Sequence, residues 1–255
     1  MTDSSAGMRA AGKLAAMTLD FITPHVQEGV TTQYLDELCR RFITDNGAVP
    51  ATLGYNGYPK STCISPNEVV CHGIPSSRKL VNGDILNIDV TVILDGWHGD
   101  TSRMFYVGAP STAAQQLVES TYKAMMLGIN AVRPGATVGD IGHAIQTYVE
   151  SKNYSVVRGF CGHGIGREFH TDPSILHFGR PKKGPVLREG MTFTIEPMVN
   201  LGKRNVVILD DDWTAVTADG SLSAQFEHTV IVTKSGVEIL TLSSKGFNFP
   251  PYNSV

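Results

Sequence analysis

The sequence predicts an α+β fold made by tandem duplication, and three observations carry that reading. Residues Ile85–Val107, ILNIDVTVILDGWHGDTSRMFYV, divide into two apolar-rich runs around Asp95-Gly96, a dipeptide suited to the tight turn of a β-hairpin. Stretches of helical periodicity come before the hairpin and again after it. When Gly29-Val30-Thr31 is set above Gly135-Ala136-Thr137, Leu35 falls on Ile141, Phe42 on Tyr148 and Ile43 on Val149, all at one offset. Gly-x-Thr before a helix is also common capping chemistry, so the repeat leans on the order of elements as well: helix, helix, loop, strands. The chain of 255 residues is therefore expected to form a single domain, 1–255, with pseudo-repeat halves of about 1–110 and 111–255 sharing one sheet.

The first helix is expected over Met8–Ile22, after Asp3-Ser4-Ser5 and before Pro24. A second opens at Thr31 or Thr32 and runs through Leu35, Leu38, Phe42 and Ile43 to Asn46-Gly47, a left-handed cap. Residues 48–84 are mixed, with turn formers at Tyr55-Asn56-Gly57-Tyr58-Pro59, Ser65-Pro66-Asn67 and Asn82-Gly83. In the hairpin, Leu86, Ile88, Val90 and Val92 alternate with Asn87, Asp89 and Thr91, which makes one face apolar and the other polar. A turn centred on Asp95-Gly96 sets Thr91 opposite Asp100 and Asp89 opposite Ser102. The two aspartates then become diagonal neighbours with Cα atoms roughly 7–8 Å apart. Such carboxylates repel unless a cation lies between them, although an exposed hairpin with solvated aspartates has the same pattern.

Thr112-Ala113-Ala114-Gln115 has capping-box spacing and opens a third helix through Leu117, Tyr122, Met125 and Ile129. A fourth starts near Thr137 and uses Val138, Ile141, Ile145 and Tyr148. Strands over Met191–Val199 and Ala224–Thr233 then put Glu196 and Glu227 on polar faces, with Pro197 marking an edge or a bulge. If the halves pack as a duplication, Asp89 and Asp100 can face Glu196 and Glu227. Four acids converging in one sheet are untenable empty, and metal is the natural counter-charge.

Composition narrows the function. Hydrophobic content of 42% and charged content of 18% are globular values. A formal net charge of −3 gives no electrostatic case for nucleic-acid binding. No apolar run approaches the roughly 20 residues that span a bilayer, and the N-terminus lacks the basic and apolar regions of a signal peptide. The four cysteines, Cys39, Cys63, Cys71 and Cys161, form no CxxC and suit reduced thiols in a cytoplasmic protein.

Gly162-His163-Gly164-Ile165-Gly166, followed by Arg167-Glu168-Phe169-His170, places two histidines beside glycines that would leave a bare backbone near a ligand. It is neither GxGxxG nor GxxxxGK[ST], and HExxH is absent. Cys71-His72-Gly73-Ile74-Pro75 sets a third histidine in a turn. Cys63, Cys71 and His72 have zinc-ligand chemistry but lack a further Cys/His pair to close a structural site. Tyr55, Tyr58, Phe169 and Trp213 fit either ordinary core or the wall of an apolar side-chain pocket.

The runs YNGYPKSTCISPNEVVCHGIP, NIDVTVILDGWHGDTSRMF, CGHGIGREFH, MTFTIEPMVN and SAQFEHTVIVT, in that order, closely resemble type I methionine aminopeptidases from about Met8 to Thr241. The resemblance implies the pita-bread fold, a pseudo-symmetric duplication with a curved antiparallel sheet flanked by helix pairs. It implies two divalent metals held by Asp89, Asp100, His163, Glu196 and Glu227, with Asp100 and Glu227 bridging, His163 and Glu196 completing one site and Asp89 chelating the other. One nitrogen among oxygens suits Mn²⁺ or Fe²⁺ and admits Co²⁺ or Zn²⁺.

The reaction so implied is removal of the N-terminal methionine from nascent proteins, preferring a small second residue. Water shared by metals roughly 3.5–4 Å apart would attack the scissile carbonyl. Glu196 would serve as general base, His170 as oxyanion stabiliser, and His72 as a contact to the scissile amide nitrogen or the next residue. Tyr55, Tyr58, Cys63, Phe169, His72, His170, Trp213 and Thr52 would bind substrate, Thr52 standing where some relatives have cysteine. A monomeric cytoplasmic enzyme is expected, with no membrane or sequence-specific nucleic-acid partner and with transient ribosome contact through Lys182-Lys183 and Lys203-Arg204.

Proline-specific peptidases of the same fold usually carry a large N-terminal domain for which this chain has no room. Type II enzymes carry an insertion between the histidine and glutamate ligands that is absent between His170 and Glu196. A catalytically dead relative would have lost ligands, and all five stand here.

Overall fold

The computed structural model describes residues 4–252. Helix α1 spans Ser4–Ile22, starting before the expected Met8, and Asp3 of the expected N-terminal signal lies outside the described residues. Helix α2, Thr32–Asp45, is capped by the Thr31 hydroxyl, which accepts from the Tyr34 N–H, and the chain leaves it through Gly47 at φ 76°. Three short strands follow: β1 (Val49–Pro50), β2 (Cys63–Pro66) and β3 (Val69–Cys71). The long hairpin is β4 (Ile85–Leu94) and β5 (Trp97–Tyr106). Its two-residue turn has φ 51° at Asp95 and 78° at Gly96, and it sets Thr91 opposite Asp100 and Asp89 opposite Ser102, as the alternation predicts.

Helices α3 (Thr112–Asn130) and α4 (Val138–Ser151) come next. Ser111, not Thr112, caps α3, accepting from the Ala114 N–H, while the Gln115 side chain donates to the Pro110 carbonyl. The remaining strands are β6 (Ser155–Val156), β7 (Gly162–Gly164), β8 (Thr171–Ile175), β9 (Thr192–Ile195), β10 (Met198–Asn200), β11 (Val206–Ile208), β12 (Ala215–Thr217), β13 (Ser223–Gln225), β14 (Glu227–Val232) and β15 (Val237–Ile239).

An antiparallel nine-stranded sheet runs β1-β4-β5-β14-β9-β7-β8, with β2 on β4 and β15 on β14, and two three-stranded sheets join β13-β10-β6 and β11-β12-β3. The strands expected over Met191–Val199 and Ala224–Thr233 are each broken. One gives β9 and β10 across Glu196-Pro197, the other β13 and β14 across Phe226, and the pieces belong to different sheets. Pro197 has no N–H for a ladder, so the chain turns out of the large sheet there.

The repeat is visible in matched contacts. Leu35 and Ile141 are fully buried, as are Ile43 and Val149, while Phe42 and Tyr148 are half-buried. The Gly29 N–H donates to Leu80 O at 2.8 Å and the Gly135 N–H to Leu187 O at 3.0 Å. Returning bonds run from Leu80 N to Val30 O and from Leu187 N to Ala136 O, both 2.8 Å. One apolar core lies between α1, α2 and the hairpin, and another between α3, α4 and the second set of strands.

A candidate metal centre

The hairpin and the second half meet along a single row of paired residues. Cys63 pairs with Asp89, Asp89 with Ser102, and Ser102 with Glu227. Register continues through the strand breaks. His228 lies opposite Ile195 on one side and Gln225 opposite Met198 on the other, so Glu227 falls opposite Glu196. Both glutamates stand where their strands change sheets, and their side chains turn towards the hairpin acids.

Ligand atoms of Asp100, His163 and Glu227 all lie within 4.8 Å of one another. His163 Nε2 is 3.5 Å from Asp100 Oδ2 and 3.7 Å from Glu196 Oε1. Its Nδ1 lies 3.1 Å from the Gly164 carbonyl; an Nδ1–H donating there leaves the Nε2 lone pair for a cation. Hydroxyls orient the acids: Thr91 donates to Asp100 Oδ1 at 2.7 Å and Thr194 to Glu196 Oε1 at 2.6 Å. Glu196 is further held by its N–H, which donates to His177 Nε2 at 3.1 Å, and by Gln225 Nε2, 3.4 Å from Oε2.

The donor set fits divalent metal. Asp89 Oδ1 is sealed from solvent with no hydrogen-bond partner, an arrangement that costs several kcal/mol for a free carboxylate. Burial, then the charges of Asp100 and Glu196, push Asp89 well above the usual carboxylate range. Burial and the same acidic neighbourhood raise Glu227, and burial raises Glu196 to about 7. For His163, burial opposes the charge, but hydrogen bonding to Asp100 and the charges of Glu196 and Asp100 prevail and carry it up to about 9. Protons drawn to Asp89, His163, Glu196 and Glu227 together mark a place built for cations.

A cavity of about 770 Å³ opens above this floor, and every residue named for the site in the sequence lines it. Tyr58 is buried, meets Trp213 edge-on at 5.1 Å, and places its hydroxyl 3.0 Å from the carbonyls of Thr62 and Gly73. His72 adopts φ 57° and stands edge-on to Phe160 and Trp213; burial lowers its pKa. His170 stacks on Phe169 at 4.0 Å and lies 4.1 Å from the His163 ring, with Nδ1 2.8 Å from the Tyr55 hydroxyl. Burial, then the His163 charge, lower it to about 4, so it is neutral at neutral pH. Thr52 bonds the Lys60 carbonyl at 3.3 Å at the rim.

One sequence expectation changes. Glycines 162 and 164 do not bare the backbone for a ligand: a Cβ at Gly162 would lie 2.4 Å from Thr194 O, and one at Gly164 2.2 Å from Asp172 O. They let β7 approach its neighbouring strands. The groups that hold Glu196, Thr194 and Gln225 at its carboxylate and His177 at its backbone N–H, have no signal in the sequence, because nothing local marks a hydroxyl, amide or imidazole that acts across strands. Thr91 alone was traceable, through its register opposite Asp100.

Comparison with known proteins agrees with this geometry. The profile of metallopeptidase family M24 matches residues 6–234. A methionine aminopeptidase of Rickettsia prowazekii (strain Madrid E) is 61% identical over 246 residues, covering 96% of this chain and 95% of that protein. The crystal structure of methionine aminopeptidase from Rickettsia prowazekii superposes with a TM-score of 0.93, covering 94% of this chain and 97% of the other. The prolidase from Pyrococcus horikoshii shares the fold at 22% identity, with a TM-score of 0.75 over 96% of this chain and 63% of its own.

Proposed function

The chain belongs to metallopeptidase family M24 and to the methionine aminopeptidases within it, and from that membership we propose a division of labour for its site. The observation that carries it is the convergence of Asp100, His163 and Glu227 below a cavity walled by aromatic rings, with Asp89 and Glu196 in the same paired row. Asp89, Asp100, His163, Glu196 and Glu227 hold two divalent ions. Such ions supply Lewis-acid polarisation of the scissile carbonyl and a water of lowered pKa. The oxygen-rich donor set suits Mn²⁺ or Fe²⁺ and admits Co²⁺ or Zn²⁺.

Glu196 takes a proton from the attacking water and returns it to the leaving amine. Its orientation favours this, because Oε1 is held by the Thr194 hydroxyl at 2.6 Å and Oε2 lies 3.4 Å from Gln225 Nε2. His170, neutral and on the cavity wall, donates a hydrogen bond to the oxyanion. His72 contacts the scissile amide or the residue after it. Tyr55, Tyr58, Cys63, Phe169, Trp213 and Thr52 enclose the methionine side chain, whose thioether gains apolar burial and sulfur–aromatic contact. A confined mouth selects small second residues. Substrates are the N-termini of nascent proteins.

Among the described residues no helix is long and apolar enough to cross a membrane. We place the enzyme in the cytoplasm as a monomer, its two halves one catalytic domain, in passing contact with the ribosome. Lys182, Lys183, Lys203 and Arg204 are all exposed and suit phosphate. The test is release of methionine from Met-Gly-Met by protein loaded with Mn²⁺, Fe²⁺ or Co²⁺. Survival of the peptide under all three loadings rejects the reading.

A further inference from the structure

Tyr55 presents two separable parts to the site. Its ring lies 4.9 Å from the Phe169 ring and forms wall, which a phenylalanine would do as well. Its hydroxyl reaches His170 Nδ1 at 2.8 Å and, among the described residues, is the hydrogen-bond partner of that imidazole. We propose that Tyr55 is a positioning residue: its phenol donates to His170 Nδ1 and so holds the ring with Nε2–H as the group offered to substrate. The proposal rests on the reading of His170 as oxyanion donor.

A neutral imidazole carries one N–H and one lone pair, so a bond donated to one nitrogen leaves the N–H on the other. With the phenol donating to Nδ1, Nε2 is a donor, which is what a developing oxyanion requires. In the other tautomer Nε2 would turn a lone pair on the oxyanion and repel it. The plane of the ring is set by stacking: Phe169 lies 4.0 Å away at 26°, and His98 backs Phe169 at 5.5 Å and 16°. Stacking does not choose which edge of the ring faces which way. The phenol does.

The loop that carries Tyr55 is shaped for this. Gly54, Asn56 and Gly57 take φ of 84°, 47° and 87°, the left-handed region, which folds the turn tightly around Tyr55. It is closed by Gly54 N to Tyr58 O at 2.8 Å, Tyr55 N to Thr52 O at 3.0 Å and Tyr58 N to Tyr55 O at 2.9 Å. The buried Tyr58 anchors the far end. A hydroxyl so fixed can hold the neighbouring imidazole, whose ring centroid lies 5.2 Å from that of Tyr55.

The experiment uses metal-loaded enzyme and Met-Gly-Met. Tyr55→Phe is expected to lower kcat by roughly 10–100-fold, the range for groups that orient active residues, with KM within about twofold and metal content unchanged. In a His170→Ala background the same change should add less than about twofold, since there is no imidazole left to hold. In zinc-loaded protein carrying ¹⁵N-histidine, His170 should show an acceptor-type Nδ1 and a protonated Nε2, and Tyr55→Phe should mix the tautomers. An unchanged kcat and unchanged nitrogen shifts in Tyr55→Phe, with His170→Ala impaired, overturn this inference alone. A raised KM that recurs undiminished in the His170→Ala background also overturns it, leaving Tyr55 as wall. Full turnover by His170→Ala overturns the oxyanion reading beneath it.

Discussion

Glu196 is restrained at four atoms, and the restraint on its N–H is the one with an unusual partner. Its N–H donates to His177 Nε2 at 3.1 Å, and His177 is fully buried with Nδ1 unpartnered. Burial takes that imidazole down to about 3, so it stays neutral and free to accept. The bond replaces a ladder partner that Glu196 lost where β9 ends and Pro197 turns the chain away. His177→Leu would leave the Glu196 N–H buried and unpaired, at a cost of about 1–3 kcal/mol, and let the carboxylate drift. Metal affinity by calorimetric titration is expected to fall by on the order of tenfold, together with the melting temperature. A lower melting temperature with full affinity would reduce His177 to a packing residue. Its sequence context, Ser174-Ile175-Leu176-His177, reads as the end of an ordinary apolar run, and no local pattern links it to Glu196.

Among elements, the hairpin was legible because its signals are local. Asp95-Gly96 accepts φ of 51° and 78°, and alternation fixes which side chains share the acidic face. The broken strands were not, because the exchange between sheets is decided by what lies across from them. Pro197 marks one break, but nothing about Phe226 marks the other. Helix starts show a similar divide. Thr31, one of the two starts the sequence offers, is the cap of α2, Ser111 stands one residue before the expected Thr112, and the Thr137 box closes with Asp140 in place of the usual Glu or Gln. The Asp140 carboxylate accepts from Thr137 N at 2.7 Å, Thr137 Oγ1 at 2.8 Å and Lys182 N at 3.0 Å. Those bonds, led by the one from the Thr137 backbone, hold its pKa below the usual aspartate range. A folded pKa below the unfolded one contributes stability at neutral pH and loses it as pH falls through the acid range, below about 4. Asp140→Asn is expected to lower the urea midpoint at pH 7 by the equivalent of about 1 kcal/mol and to match the parent near pH 3. A gap that persists unchanged at pH 3 would mean the carboxylate charge is not what the cap uses.

At the scale of the molecule, the duplication does more than double a core. It brings Glu196 and Glu227 from one half into the paired row that holds Asp89 from the other, and it surrounds those acids with strands instead of water. Periodicity foretold which residues face inward, whereas the distance between the halves depends on contacts such as Gly12 of α1, where a Cβ would lie 2.6 Å from the Leu240 carbonyl oxygen. The assembled cluster opposes folding when no cation neutralises it, since like charges held in one place raise the energy of the native state alone. Asp89 is the clearest case, with Oδ1 sealed and unpartnered. Asp89→Asn keeps the shape and removes one charge. In chelator-treated protein the variant is therefore expected to melt higher than the parent by about 2–4 °C, as for a gain near 1 kcal/mol in a chain of this size. Saturating Mn²⁺ should reverse the order, because a ligand that binds only the native state stabilises in proportion to its affinity, and the parent binds more tightly. Scanning calorimetry of the four samples measures both signs. If the variant melts lower in chelator as well, the carboxylate contributes to the metal-free fold and the cluster is not strained.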